Sequence, residues 1–170
     1  MTLHPSHQIE RGNIWAFTDG GADGWHAAVL LDTAGRARCV CFRRPNEARN
    51  VGSELDGVIL AIELALELAA DRASEEQQLI IVSDFLWSAF YINGWRAVRH
   101  AYLVERVPVA RGLLQRAGFA KTHFIHHGGH DGRATDFSTW NDVADRLCKG
   151  RTTVETAWGN AAEVAGELSQ

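Results

Sequence analysis

The chain has 170 residues, of which 46% are hydrophobic, and a formal net charge of −4. This composition is typical of one globular domain with a hydrophobic core and excludes a disordered chain. No apolar run reaches membrane-spanning length, and the first residues lack the charged and apolar regions of a signal peptide. We therefore expect a soluble, cytoplasmic protein with no membrane partner.

The first predicted elements are strands. Residues 1–12 are polar, and we expect a flexible N-terminus. Three short apolar runs follow, separated by turn sequences such as Asp32-Thr-Ala-Gly35. Consecutive strands joined by short turns pair antiparallel, so these runs predict a three-stranded meander. The predicted strands are 14–19, 25–31 and 38–42.

Residues 53–73 then change to a helical pattern, in which apolar side chains from Leu55 to Ala69 fall on one stripe. Helical and strand patterns alternate in the rest of the chain. They comprise a strand at 79–82, a helical stretch at 86–98 interrupted near Asn93, a helix at 108–116, a strand at 123–127, and helices at 139–149 and 153–168. The order predicts an α/β fold with a mixed five-stranded sheet, in which parallel strands follow the meander and helices cover both faces.

The three cysteines predict no disulfide framework. Cys39 and Cys41 fall on one face of a predicted strand, and Cys148 lies in a late predicted helix. Their spacing does not match a zinc site, and the eight histidines contribute no H-E-x-x-H pattern. We expect reduced thiols.

Charge is unevenly distributed along the chain. Residues 96–121 contain six basic residues and one acid, a local charge of +5, which leaves −9 for the remainder. A basic segment such as this, which includes Arg96 and Arg99, can contact the phosphates of a nucleic acid. The alternative interpretation is a solvated helix face.

Four carboxylates occupy positions that suit a metal site. Asp19 and Asp84 end apolar runs that are predicted to be strands, where acidic residues are unfavourable. Glu54 and Asp145 lie in helical patterns. Carboxylates that converge from separate elements repel one another unless a cation holds them, and their hard oxygen atoms favour Mg²⁺ or Mn²⁺. Two such ions can catalyse phosphoryl chemistry.

Each carboxylate also has a simpler interpretation. Asp19 precedes Gly20 and Gly21 and could start a turn, Glu54 could be an acid favoured early in a helix, and Asp84 could cap a helix. Asp136 and Asp142 are alternatives to Asp145, which the spacing from Asn141 favours. Among the histidines, His126, His127 and His130 compete for a functional role.

Five short motifs, in the same order, resemble those of type 1 ribonuclease H, which cleaves the RNA strand of RNA–DNA hybrids. The resemblance covers about residues 13–150. The motifs are FTDGG at 17–21, N-x-x-S-E-L at 50–55, VSD at 82–84, GHDG at 129–132 and NDVADRL at 141–147.

This resemblance implies a ribonuclease H-like catalytic domain at 13–150 and a helical extension at 151–170. It implies that Asp19, Glu54, Asp84 and Asp145 bind two Mg²⁺ ions, with Mn²⁺ as an alternative. His130 would shuttle protons on a flexible loop. Substrate contacts would come from the glycines after Asp19, from the start of the first helix and from the basic segment. The residues expected to contact substrate are Gly20, Gly21, Asn50, Arg96 and Arg99. We expect a monomer that acts on RNA–DNA hybrids.

The chain departs from the family pattern near the substrate. The glycine turn after Asp19 is short, and the gap from His130 to Asp145 is long. Asp84 is followed by the apolar stretch Phe85-Leu86-Trp87, where the family usually has a polar residue. Two alternative functions therefore remain. One is a ribonuclease H-fold module that binds nucleic acid with little catalysis. The other is a DNA-directed nuclease such as an exonuclease or a junction resolvase, although the exonuclease pattern D-x-E is missing at Asp19.

Overall fold

A mixed sheet of seven strands forms the centre of the protein. The structure, a computed structural model, describes residues 9–10, 12–70, 77–128 and 135–168. The strands are β1 (Ile14–Gly20), β2 (Trp25–Leu31), β3 (Arg36–Arg43), β4 (Gln78–Ser83), β5 (Lys121–His126), β6 (Val154–Glu155) and β7 (Gly159–Asn160). The helices are α1 (Arg49–Ala70), α2 (Leu86–Ile92), α3 (Ala101–Ala117), α4 (Asp136–Gly150) and α5 (Ala161–Glu167).

The predicted meander and the parallel strands that follow it are confirmed. The strand order is β5-β4-β1-β2-β3-β6, and β7 also pairs with β3. Strands β1, β2 and β3 pair antiparallel, whereas β4 lies parallel to β1 and to β5. The central position of β1, buried on both faces, explains its continuous apolar sequence.

Alternate residues of β1 point to opposite faces of the sheet. Ile14 and Ala16 belong to the core that α1 and α3 complete, and Trp15 and Phe17 belong to the core that α4 completes. The prediction of helices on both faces is therefore confirmed. By the same alternation, the side chain of Asp19 lies on the α4 face.

Several helix boundaries differ from the prediction. Helix α1 begins at Arg49 and not at residue 53, and α4 begins at Asp136 and not at residue 139. The interruption predicted near Asn93 is confirmed, and the residues after it are not helical. Helix α2 ends at Ile92, because Gly94 adopts a positive φ of 76° and Arg111 donates hydrogen bonds to the carbonyls of Tyr91 and Ile92. Helix α3 begins at Ala101, so Pro108 lies inside it and not in its first turn.

The segment after Gly150 is only partly helical, so the prediction of a continuous helix over 153–168 was wrong. Strands β6 and β7 pair with β3, and α5 buries Val164 against the core on the α4 face. Thr156 completes this attachment, since its backbone N–H donates to Cys39 and its hydroxyl accepts from the Cys39 N–H. Without this segment the outer edge of β3 would have unpaired backbone groups, and pairing with them outweighs the helical propensity of the segment.

Within the described residues, no helix is long and apolar enough to cross a membrane.

Candidate active site

Two of the four predicted carboxylates lie at the ends of neighbouring parallel strands. Thr18 of β1 is in register with Ser83 of β4, so the next residues, Asp19 and Asp84, lie side by side. Asp19 is the last residue but one of β1 and still pairs with Ala27 of β2, whereas Asp84 directly follows β4. This position at the carboxyl ends of central strands is where open α/β sheets commonly bind ligands. The prediction that each acid closes a buried apolar run is confirmed.

Glu54 reaches the same place from α1, because glycine allows the helix to approach the strand closely. A Cβ atom on Gly20 would lie only 2.1 Å from the backbone nitrogen of Glu54. One on Gly57 would lie 3.0 Å from the carbonyl oxygen of Asp19. Gly20 is itself buried, so its place in the structure follows from packing, and the predicted contact with substrate stays a prediction.

The three side chains form one cluster. Each of Asp19, Glu54 and Asp84 offers a carboxylate oxygen, and these atoms lie within 4.8 Å of one another. Burial decreases across the cluster, from Glu54, which is 7% exposed, through half-buried Asp19 to exposed Asp84. The cluster therefore opens to solvent on the Asp84 side.

Burial and mutual repulsion disfavour the charged forms of two of these acids. Burial, with the nearby charges of Asp84 and Asp145, raises the pKa of Asp19 to about 6. Burial, with the charges of Asp19 and Asp84, raises the pKa of Glu54 to about 9. In the absence of a cation, protons must neutralise part of this cluster.

One oxygen of Glu54 provides a test of whether the cluster suits a metal ion. Its Oε2 is buried and has no hydrogen-bond partner among the described residues. Because buried polar atoms are nearly always satisfied, an orphaned one indicates a missing partner. An all-oxygen, multiply charged donor set fits a hard divalent cation such as Mg²⁺ or Mn²⁺.

Asp145, the fourth predicted ligand, lies at the edge of this cluster and outside the group of three. Its side chain is 27% exposed, and its Oδ2 accepts a hydrogen bond from Lys149 Nζ at 2.7 Å. Of the acids on α4, it is Asp145 whose charge raises the pKa of Asp19, so its alternatives Asp136 and Asp142 are less well placed. Lys149 is largely exposed and can move away.

Two of the three candidate histidines can be placed. His130 lies outside the described residues. His127 is buried and contacts Phe137 edge-on, which supports a structural role. His126 is half-buried at the end of β5, and its Nε2 donates to the carbonyl oxygen of Asp84 at 3.0 Å.

The basic segment divides into fixed and available arginines. Arg106 Nε donates to the buried carboxylate of Asp56 at 2.8 Å, and Arg111 bonds to the end of α2. Arg96 and Arg99 are exposed in the connection between α2 and α3, and the Arg96 guanidinium lies 4.2 Å from the ring centre of Trp87. Arg106 and Arg111 are therefore held within the protein, and the predicted contact of Arg96 and Arg99 with phosphate stays a prediction.

Two further exposed residues differ in how well the sequence predicted them. Asn50 is exposed in the first turn of α1, one helical turn before Glu54, as the motif implied. Trp95 was missed, although it is 62% exposed beside Arg96. A tryptophan directly after the turn residues Asn93 and Gly94 was the available signal, since turns seldom bury large side chains.

Gly21 lies beside α4, where a Cβ atom on it would lie 3.3 Å from the Cβ of Cys148. Cys148 in turn donates from Sγ to the carbonyl oxygen of Asp19 at 3.3 Å. Sequence reasoning treated Cys148 only as a reduced thiol. Its contact adds a connection between α4 and the end of β1.

No protein-family profile and no curated protein sequence matches the chain. Solved structures do match it. The N-terminal ribonuclease H domain of a Mycobacterium tuberculosis protein, solved as a fusion with maltose-binding protein, is 18% identical; the match covers 93% of this chain and 99% of that one, with a TM-score of 0.57. Ribonuclease H1 from the halophilic archaeon Halobacterium salinarum is 23% identical, with 81% and 96% covered and a TM-score of 0.57.

A third structure is a complex. LC11-RNase H1, obtained from compost by a metagenomic approach and solved with an RNA/DNA hybrid, is 18% identical. The match covers 81% of this chain and 95% of that one, with a TM-score of 0.59. Together with the sheet order and the helices on both faces, these matches establish that the chain has the type 1 ribonuclease H fold.

Proposed function

We propose that the protein is a divalent-metal-dependent endonuclease that hydrolyses the RNA strand of RNA–DNA hybrids and leaves 5′-phosphate and 3′-hydroxyl ends. The observation that carries the proposal is the cluster of Asp19, Glu54 and Asp84, with the orphaned Oε2 of Glu54 at its buried side. The fold supports the reaction class, and one of the similar structures holds an RNA/DNA hybrid.

The residues suit a pair of Mg²⁺ ions, with Mn²⁺ as an alternative. Asp19, Glu54 and Asp84 would hold them with Asp145, once its carboxylate leaves Lys149. When bound, such ions activate a water molecule and stabilise the leaving 3′-oxygen. The buried side of the cluster excludes bulk water, which strengthens electrostatic interactions with a phosphate.

Substrate would approach from the exposed side of the cluster, next to Asp84. Arg96 and Arg99 are free to contact backbone phosphates, and Asn50 lies one turn from Glu54. The exposed indole of Trp95 adds a flat apolar surface for a base or a sugar. His130 remains the predicted proton carrier, a role that typically contributes about 10²–10⁴-fold to the rate.

The test is a comparison of end-labelled substrates. RNA–DNA hybrid, duplex RNA and duplex DNA are incubated side by side with Mg²⁺ and with EDTA. We expect cleavage of the RNA strand of the hybrid, with Mg²⁺ only. Asp19→Asn should abolish cleavage, whereas Asp142→Asn, an exposed acid on the same helix as Asp145, should retain it.

The outcomes separate the alternatives. Cleavage of duplex DNA in preference to the hybrid would indicate a DNA-directed nuclease. Tight binding of the hybrid without metal-dependent cleavage would indicate a binding module.

A further inference from the structure

We infer that His126 is a positioning residue for Asp84, and this inference rests on the proposed metal-dependent function. Asp84 needs such support because it is the exposed member of the cluster. Asp19 lies within β1, and Glu54 is fixed by the close packing of α1 against Gly20. Asp84, in contrast, lies one residue beyond the end of β4. A fixed peptide at this position restricts where the carboxylate of Asp84 can lie.

The backbone ladder between β4 and β5 ends just before Asp84. The last backbone hydrogen bond runs from the His127 N–H to the Ser83 carbonyl at 3.0 Å. The next carbonyl, that of Asp84, accepts instead from the His126 imidazole, also at 3.0 Å. The side chain therefore continues the ladder by one residue after the backbone bonds stop.

The N–H of the peptide that follows Asp84 is also bonded to a side chain. The N–H of Phe85 donates to the Ser83 hydroxyl at 3.0 Å, so side chains hold both the N–H and the carbonyl of the peptide that follows Asp84. Hydrogen bonds to the ligating groups of a metal site orient them, and their loss typically costs about 10–100-fold in metal affinity or activity. The bonds to the peptide after Asp84 orient its carboxylate through the backbone, so we expect a loss at the lower end of this range.

The chemistry of the acceptor determines which nitrogen of His126 is involved. A carbonyl oxygen can only accept, so Nε2 must carry the proton. This requirement makes a specific prediction about replacements. The amide nitrogen of glutamine can reach the position of Nε2, whereas that of asparagine reaches only the position of Nδ1.

The experiment measures Mn²⁺ binding by electron paramagnetic resonance, together with the Mg²⁺ dependence of hybrid cleavage. For His126→Ala we expect Mn²⁺ affinity to fall about 10-fold and the half-saturating Mg²⁺ concentration to rise by a similar factor. For His126→Gln, the Mn²⁺ affinity and the half-saturating Mg²⁺ concentration should stay close to those of wild type. For His126→Asn, both should resemble those of His126→Ala. His123→Ala is the matched control, because His123 lies on the same strand and bonds through Nε2 to Gln78 at 3.0 Å, away from Asp84.

Each outcome decides a separate point. Wild-type Mn²⁺ affinity in His126→Ala would overturn the inference, and so would an equal loss in His123→Ala. If His126→Ala failed to fold, the comparison of the Gln and Asn variants carries the test, and equal affinities would contradict the inference. A wild-type protein that binds Mn²⁺ but cleaves no hybrid would refute the proposed function and leave the positioning role measurable. A wild-type protein that binds no Mn²⁺ would refute both.

Discussion

Glu54 and Asp56 lie two residues apart in α1, and both are nearly excluded from water, with exposures of 7% and 1%. Their charges are balanced differently. Asp56 accepts hydrogen bonds from the hydroxyl of Tyr102 and from Arg106, one turn apart on α3. Glu54 lies in a cluster of carboxylates, and its Oε2 has no partner in the described part of the chain.

This difference shows that the fold is able to neutralise a buried acid in α1 with its own side chains and does so at only one of the two positions. A buried polar atom without a partner costs about 1–3 kcal/mol, and more when it is charged. Such a cost is retained where a function needs it. We therefore interpret Asp56 as part of the scaffold and Glu54 as part of the site.

The largest expected effect concerns activity. Glu54→Gln should lower hybrid cleavage by more than about 100-fold, because loss of a metal ligand should exceed the loss of an outer partner. The metal-free variant should be as stable as wild type or more stable, since one repelling charge is removed. Cleavage rates and thermal unfolding with EDTA measure the two effects. Near-normal cleavage would remove Glu54 from the site.

The corresponding substitution of Asp56 should lower the stability of the protein and leave catalysis unchanged. Asp56→Asn leaves the Arg106 guanidinium without its carboxylate, and breaking a buried ion pair costs about 3 kcal/mol or more. Urea denaturation should show this loss, whereas kcat per folded molecule stays near that of wild type. If Asp56→Asn abolished cleavage while the fold stayed intact, the division between scaffold and site would be wrong.

A smaller effect is the pH dependence of stability without metal. The folded protein raises the pKa of Asp19 to about 6 and of Glu54 to about 9, above their ordinary values. The folded state therefore retains protons that the unfolded chain has already released. The stability that these groups contribute is complete in acid and is lost as pH rises from about 4 to 9.

The midpoint temperature of thermal unfolding in EDTA should accordingly decrease as pH rises from 5 to 9. Glu54→Gln should flatten this slope, and Asp142→Asn should not. Saturating Mg²⁺ should also flatten it, because the cation replaces the protons. A slope that is the same in wild type and in Glu54→Gln would contradict the assigned pKa of Glu54.

The smallest expected effect extends the comparison to the arginines. Replacement of both Arg96 and Arg99 by Ala should raise KM and reduce the salt dependence of hybrid binding, by about one unit of log–log slope for each phosphate that the variant no longer neutralises. Arg111→Ala should instead lower stability by about 1 kcal/mol and leave the salt slope unchanged, because its guanidinium bonds to the end of α2. Measurements of hybrid binding at several salt concentrations distinguish the double variant from Arg111→Ala.

The sequence predicted those parts of the molecule that depend on local pattern. Strand β1, which contains Asp19, and strand β4, which ends just before Asp84, are short apolar runs, and α1 has a clear stripe of apolar residues. The parts that were missed depend on contacts between distant segments. The early start of α3 places Arg106 near Asp56, and β6 forms only because β3 offers it an edge.

The same limit applies to the site. In the sequence, Glu54 and Asp56 are equivalent acids near the start of one helix, and only the position of α3 separates them. Likewise, the motif spacing favoured Asp145, the α4 acid whose charge acts on Asp19, but its bond to Lys149 depends on side-chain conformation. His126 was one of three candidates until its bond to the Asp84 carbonyl was seen.

The attachment of β6 and β7 to β3 has a practical consequence for any shortened version of this protein. A chain cut after Gly150 would expose the outer edge of β3, whose central residues Cys39, Val40 and Cys41 are uncharged and prone to pair with strands of other molecules. It would also leave Arg38 without its bond to Glu155. Such a chain should aggregate on expression even though every proposed metal ligand is present, so the smallest useful version of the protein extends through α5.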